Sequence, residues 1–346
     1  MEKEIPTRDN LVTMPPPRPA RQRLTFATFP WIFFRRCLLI FAVCAAGVVL
    51  YTWFRPVEVL LDVTGVNLRL EGVHGRSVTI DGHRIHYYTG GSGTPIVLVH
   101  GLGGRSEDWA NLMPQLMRDH RQVYALDLLG FGQSDKPRDV AYSIPQEAHL
   151  VEQFMDTQRL SSLDLAGWSM GGWVALRVAL DQPQRIQRLL IYDSAGVRFD
   201  LTFDPGVFAP DSPQRLAQLN QILNPGPTPP IPGFVERDVL RITRNNGWVV
   251  LRAMDSMLTQ KDLLDGQLAA LKMPMLIAWG KLDHVIPAAA GAAIHKEVPQ
   301  SVLEIFDGCG HLAPRQCADR VGPQTVEFLD ANPPLQNQIK EIPARR

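Results

Sequence analysis

Cysteine is scarce, with four in 346 residues. So small a number excludes a disulfide-stapled scaffold, and a chain of this length buries a core without staples. Cys37 and Cys44 lie inside an apolar run, where a thiol behaves as a small hydrophobe. Cys309 and Cys317 could bridge in an oxidising compartment, but with no distance to test a pairing they are read as free thiols. Charge of one sign is lacking too: 35 basic residues balance 35 acidic ones. Without a basic field nothing recommends a nucleic-acid partner. The nine histidines are scattered without metal-ligand spacing, so neither a metal nor another cofactor is expected. Internal repeats are absent, which removes solenoid and propeller architectures.

Long hydrophobic runs are equally rare, and one stands out. Residues 37–54 read CLLIFAVCAAGVVLYTWF without a charge, about 27 Å of helix and close to the hydrocarbon thickness of a bilayer. Trp31, Phe33 and Phe34 flank one end and Tyr51, Trp53 and Phe54 the other, as an aromatic belt requires. A single membrane-spanning helix is expected there. A cleaved signal peptide is the competing reading, opposed by the long leader and a poor small-residue cleavage site near residues 45–47. Arg18, Arg21, Arg23, Arg35 and Arg36 precede the run, whereas Arg55 and Arg69 are the nearest basic residues after it. That bias keeps the amino terminus in the cytoplasm and puts the rest of the chain on the extracytoplasmic side, the periplasm if the source is bacterial. Residues 1–36 are expected to be a disordered basic leader and residues 55–75 a linker.

Beyond the linker the hydrophobic period changes. Ser77–Ile80 and Arg84–Thr89 flank Asp81-Gly82, a hairpin signal. Pro95–His100 is a continuous apolar run suited to a buried strand. Helical and strand patterns then alternate: helix Asp108–Arg118, strand Gln122–Asp127, helix Pro145–Leu160, strand Leu163–Trp168, helix Met170–Asp181 and strand Arg188–Asp193. The rhythm resumes with strand Pro274–Trp279, helix Ala288–Val298, strand Val302–Phe306 and a helix from about Gln316 to Leu329. Such alternation implies a mostly parallel sheet with helices on both faces. Residues 197–271 interrupt it with a proline-rich stretch and helix-like segments such as Pro213–Leu223 and Trp248–Leu258. They are read as a helical cap inserted between the core's first part, 76–196, and its second part, 272–332. A tail of 333–346 follows.

Gly167-Trp168-Ser169-Met170-Gly171 falls directly between a strand and a helix. A tight turn there exposes the Ser169 hydroxyl at the sheet's carboxyl edge, so Ser169 is the candidate nucleophile. A hydroxyl needs a base to take its proton. His311 follows the last strand in Asp307-Gly-Cys-Gly-His311, where Gly308 and Gly310 let the loop bend back, and imidazole titrates near neutrality. Asp283, just past the preceding strand, is the candidate acid that orients the imidazole, and Asp193 is the runner-up. The glycine-rich His100–Gly104 loop and the helix after Ser169 put the amides of Leu102 and Met170 forward as oxyanion donors. His100 is read as a structural histidine, and the Asp127–Ser134 loop as architectural.

His100-Gly, Asp127-x-x-Gly-x-Gly-x-Ser134, Gly-x-Ser169-x-Gly-Gly, Gly-x-x-Asp283-x-x-x-Pro287 and Gly-His311 together resemble the α/β-hydrolase superfamily across about residues 76–329. With the anchor, the chain resembles membrane-anchored monoacylglycerol-lipase-type and bacterial esterase members. The resemblance implies an eight-stranded sheet and hydrolysis of a small-molecule or lipid carboxylic ester through an acyl-enzyme, with a cap shaping an apolar pocket. Dehalogenase and epoxide-hydrolase members carry Asp at the nucleophile position, so Ser169 argues against both. Carbon–carbon bond hydrolases and cofactor-free perhydrolases also use serine and remain alternatives, as does a non-catalytic binding protein on the same scaffold. Sequence leaves the oligomeric state open.

Overall fold

A computed structural model of the chain describes residues 29–226 and 228–344. Its contacts divide the chain into Met1–Leu50 and Tyr51–Arg346. The first unit is dominated by helix α1, Phe29–Phe54. The stretch Phe33–Phe54 is long and apolar enough to cross a membrane, and none of it is buried against protein. Residues 1–28 of the expected leader lie outside the described residues. The helix nevertheless begins at Phe29, ahead of the expected Cys37, because Arg35 and Arg36 are good helix formers and do not stop it. Where a linker was expected, Pro56–Leu70 forms helix α2, opened by a proline at its first position.

The strands of the second unit are β1 His74–Ile80, β2 His83–Gly91, β3 Thr94–Val99, β4 Arg121–Leu126, β5 Leu163–Trp168, β6 Ile186–Tyr192, β7 Met275–Gly280, β8 Val302–Phe306 and β9 Gln338–Ile342. They form one sheet in the order β1-β2-β4-β3-β5-β6-β7-β8-β9. The hairpin β1–β2 and the pair β2–β4 are antiparallel, and every later pairing is parallel. Asp81 and Gly82 both take positive φ, the twist a two-residue hairpin needs. The sheet is nine-stranded rather than eight-stranded. Residues read as a tail supply its last edge, where Lys340 also reaches the buried Glu304, at 3.5 Å. Gln338–Ile342, with Lys340 and Glu341 adjacent and so no alternating pattern to read as a strand, pairs once β8 offers a free edge.

Helices α3 Met113–Arg118, α4 Ile144–Thr157, α5 Met170–Asp181, α6 Pro213–Leu223, α7 Gly233–Leu258, α8 Ala288–Glu297, α9 Ala313–Gln316 and α10 Ala318–Asp330 pack on this sheet or cap it. The expected helix over 108–118 is instead a 3-10 turn, Ser106–Trp109, followed by α3, since Pro114 can be tolerated only in a helix's first turn. The expected final helix is α10, and a further short helix, α9, precedes it. Strand β3 explains the two-sided core: Ile96 and Leu98 join one apolar cluster, Val97 and Val99 the other. A strand buried on both faces has no polar side to show, hence its unbroken apolar run.

Cys309 and Cys317 are joined in a disulfide, correcting the free-thiol reading. The turn of α9 brings them together, a proximity that sequence spacing does not reveal.

Candidate active site

Three of the proposed residues converge at the carboxyl ends of the parallel strands. Ser169 separates β5 from α5 with φ 57° and ψ −121°, a strained conformation for a residue with a side chain. The neighbouring glycines make that turn possible. A Cβ on Gly167 would lie 2.1 Å from the Gly171 carbonyl, and one on Gly171 would lie 2.2 Å from the Val99 carbonyl. Backbone bonds lock the turn on both sides: the Ser169 amide donates to the Tyr192 carbonyl at 2.9 Å, and the Ala195 amide donates to the Ser169 carbonyl at 3.1 Å.

The Ser169 hydroxyl lies 2.9 Å from His311 Nε2, and His311 Nδ1 lies 2.8 Å from Asp283 Oδ2. The other carboxylate oxygen of Asp283 accepts the amides of Val285 and Ile286 at 2.7 and 3.0 Å, which fixes the carboxylate's orientation. The His311 carbonyl accepts the Trp168 indole N–H at 2.8 Å, tying the base loop to the residue just before Ser169. The Leu282 amide donates to the Cys309 carbonyl at 2.8 Å, joining the loops that carry acid and base. A hydroxyl, an imidazole and a buried carboxylate in this order can move a proton from oxygen to ring nitrogen while stabilising the imidazolium.

Asp193 is not in contact with the imidazole. Its Oδ1 accepts the Gly280 amide at 2.7 Å, and Oδ2 has no hydrogen-bond partner among the described residues. Burial, then the charge of Asp283, push its carboxyl well above the usual carboxylate range, and its bond to the Gly280 amide braces the ends of β6 and β7.

His100 is buried, and burial holds its ring below the ordinary imidazole value. Nδ1 lies 2.7 Å from the Gly101 carbonyl, and the Leu128 amide donates to Nε2 at 3.0 Å. These partners select the neutral tautomer protonated at Nδ1. The ring thus fixes the loop that presents Leu102. Gly101 must be side-chain-free, since a Cβ there would come 3.0 Å from the Ser169 Cβ. Met170 occupies the first position of α5. Asp127 accepts the amides of Ser106 and Gln133 at 2.6 and 2.8 Å and pairs with His86 at 2.9 Å. Burial pushes its carboxyl up, but His86 and those amides outweigh it and bring it down to about 2.

Ser169 opens onto an apolar cavity of about 740 Å³, its mouth included. Phe199, Phe203, Phe208, Met254, Met257 and Leu258, all from the inserted segment, line much of it. Arg198 is the only cation on its wall among the described residues, and it is exposed. The α7 segment is latched to the core where the Arg138 guanidinium lies 4.7 Å from the Trp248 ring centre, with Arg252 of α7 itself at 5.0 Å.

Sequence reasoning missed Trp168 as the tie to His311 and Glu147 as a buried acid. Glu147 accepts the Leu129 amide at 3.2 Å, and burial pushes it up to about 8. Neither carries a pattern: Trp168 sits at a free position of its motif, and Glu147 reads as an ordinary acid in a helix's first turn.

Residues 94–224 match the family model described as alpha/beta hydrolase fold. A 2-hydroxy-6-oxo-2,4-heptadienoate hydrolase of Pseudomonas putida is 30% identical over 270 residues, covering 72% of this chain and 92% of that protein. The chain belongs to the α/β-hydrolase fold family. Within that family its relatives divide. A 2-hydroxymuconate semialdehyde hydrolase of a Pseudomonas species is 28% identical over 74% of this chain and 93% of its own length. Among solved structures, a membrane phospholipase A described as a bacterial virulence factor superposes with TM-score 0.75 at 26% identity, over 86% of this chain and 97% of that one. The α/β-hydrolase frame is therefore shared by relatives with lipid and with small-acid names.

Proposed function

We propose that the protein is a membrane-anchored serine hydrolase that cleaves carboxylic esters of apolar acyl chains through an acyl-enzyme. The observation that carries this reading is the apolar cavity opening at the Ser169 hydroxyl. In the reaction, Ser169 Oγ adds to the ester carbonyl as His311 Nε2 takes the hydroxyl proton. Asp283 stabilises the imidazolium, and the amides of Leu102 and Met170 bind the oxyanion. Collapse expels the alcohol, which receives the proton from His311. Water, deprotonated by His311, then releases the acid and restores Ser169.

The membrane anchor reading of α1 rests on its length, apolar composition and exposed side chains. The Cys309–Cys317 bridge supports an oxidising, extracytoplasmic compartment for the second unit, in agreement with the arginine bias ahead of α1.

The small-acid names among the relatives favour a second reading, carbon–carbon bond hydrolysis of a dienoate. Such a substrate carries a carboxylate, whose burial requires a paired cation. Among the described residues the cavity offers the exposed Arg198 as its one cation, which favours the ester reading. A fluorophosphonate probe is expected to label the wild type and not Ser169→Ala; equal labelling removes the mechanism. Turnover of p-nitrophenyl esters is expected to rise from short to medium acyl chains. Turnover of a dienoate with none of any ester would select the second reading.

A further inference from the structure

Helix α2 presents an apolar face that no part of the described chain covers. Leu60, Val63, Val66 and Leu70 are 57%, 51%, 54% and 82% exposed. At 100° per residue they share one side of the helix with the half-buried Pro56 and Val59, interrupted only by Asn67. The opposite side faces the domain. Leu68 is buried there, and a Cβ on Gly65 would come 3.3 Å from the Tyr88 hydroxyl. A soluble domain that left such a stripe in water would forgo about 1.5 kcal/mol or more per side chain.

Chain connectivity identifies the occupant. The apolar span ends at Phe54 and α2 starts at Pro56, so Arg55 alone separates them. With the span in a bilayer, the first turn of α2 is held at headgroup level, where Tyr51, Trp53 and Phe54 also belong. A helix with one apolar and one polar side at that level lies in the interface. We infer that α2 is an interfacial helix whose Leu60–Leu70 stripe rests in the lipid headgroup and acyl boundary of the bilayer that α1 crosses. This rests on the anchor reading above.

The consequence reaches the cap. Glu58 on α2 accepts from the Arg241 guanidinium at 2.7 Å, Arg241 pairs with the buried Asp238 at 2.8 Å, and the Val57 amide donates to that Asp238 at 3.1 Å. Trp53 stacks on Phe234 with ring centres 5.3 Å apart. All three partners lie on α7, which also supplies Met254, Met257 and Leu258 to the acyl cavity. An α2 seated in lipid therefore holds the cap helix, and with it the cavity, at the bilayer surface.

The test uses the full chain in phosphatidylethanolamine–phosphatidylglycerol nanodiscs, with Cys37→Ser and Cys44→Ser. An environment-sensitive fluorophore is placed by Val63→Cys on the stripe, by Arg69→Cys on the polar side, or by Val49→Cys in α1. The Val63 site is expected to be blue-shifted, shielded from aqueous iodide and quenched by lipids spin-labelled near the headgroup, with the Arg69 site open to iodide. Equal iodide access at both sites overturns the proposal. Shielding of the Val63 site from iodide and lipid alike means a second copy covers the stripe, and overturns it too. A Val49 site that deep spin labels fail to quench removes the anchor reading and this proposal with it; quenching there without quenching at Val63 removes this proposal alone. Val63→Glu is further expected to lower turnover of a vesicle-embedded ester roughly tenfold, the partition loss of one buried valine. It should leave a short soluble ester within about twofold, because α2 is outside the reaction machinery. Equal losses on both substrates overturn the proposal.

Discussion

The loop that carries Ser169 and the loop that carries His311 reach the same point by different means. The serine turn is held by close backbone approach that its own glycines permit, with Gly167 and Gly171 packed against backbone and bonds to Tyr192 and Ala195. The histidine loop has its own turn, with Gly308 at positive φ and the Cys309 amide donating to the Phe306 carbonyl at 3.3 Å, but no residue strained as Ser169 is. It is held from outside, by the Cys309–Cys317 bridge, the Trp168 indole and the Leu282 amide. Position can thus be encoded in a short motif or borrowed from distant neighbours. The borrowed kind tolerates graded damage, whereas the encoded kind fails at once.

Substitutions can break that contrast, and the largest effect belongs to the acid. Asp283→Asn is expected to lower kcat/KM roughly 10⁴-fold, since the amide stabilises the wrong imidazole tautomer. Asp193→Asn should leave activity within about threefold, because Asp193 braces strand ends and never meets His311. Similar losses in ester kinetics would reassign the acid. Gly171→Ala should cost roughly 3 kcal/mol or more, seen as loss of soluble folded protein, because the new methyl meets backbone that cannot move. A stable, active variant would show that the serine turn is not locally determined.

Opening the bridge with Cys317→Ser is expected to cost about 2.5 kcal/mol in denaturant unfolding. Fluorophosphonate labelling should slow and not vanish, since the indole and amide ties remain. Trp168→Phe keeps the ring and removes its bond to the His311 carbonyl, at about 1 kcal/mol, with a fall in kcat and little change in KM. Should Trp168→Phe abolish labelling outright, the borrowed constraints are not graded.

The pH dependence of stability sharpens the comparison between the two acids. An acid whose folded pKa is raised binds its proton in the native state after the unfolded chain has released it. Stability therefore falls as pH rises from about 4 until the folded pKa is passed, by at most about 1.4 kcal/mol per pH unit. Asp193 and Glu147 both belong to this class, Glu147 with its carboxyl at about 8. Glu147→Gln should flatten the decline up to about pH 8, and Asp193→Asn the decline above the ordinary carboxylate range, in unfolding scans. Unchanged slopes would mean both groups are ionised in the native protein.

The amino-acid sequence by itself determined the apolar span, the hairpin at Asp81-Gly82, the alternation of strand and helix, and the turn at Ser169. Each is written in contiguous residues through side-chain period, glycine placement or an unbroken apolar run. Chain order had put Asp283 ahead of Asp193 as the acid, and the tertiary structure brings Asp283 Oδ2 within 2.8 Å of His311 Nδ1. It also paired Cys309 with Cys317, made a ninth strand of an unremarkable tail, and turned a linker into α2. Those outcomes depend on what lies across space, where a partner edge, a thiol or a covering surface is supplied by residues far away in the chain.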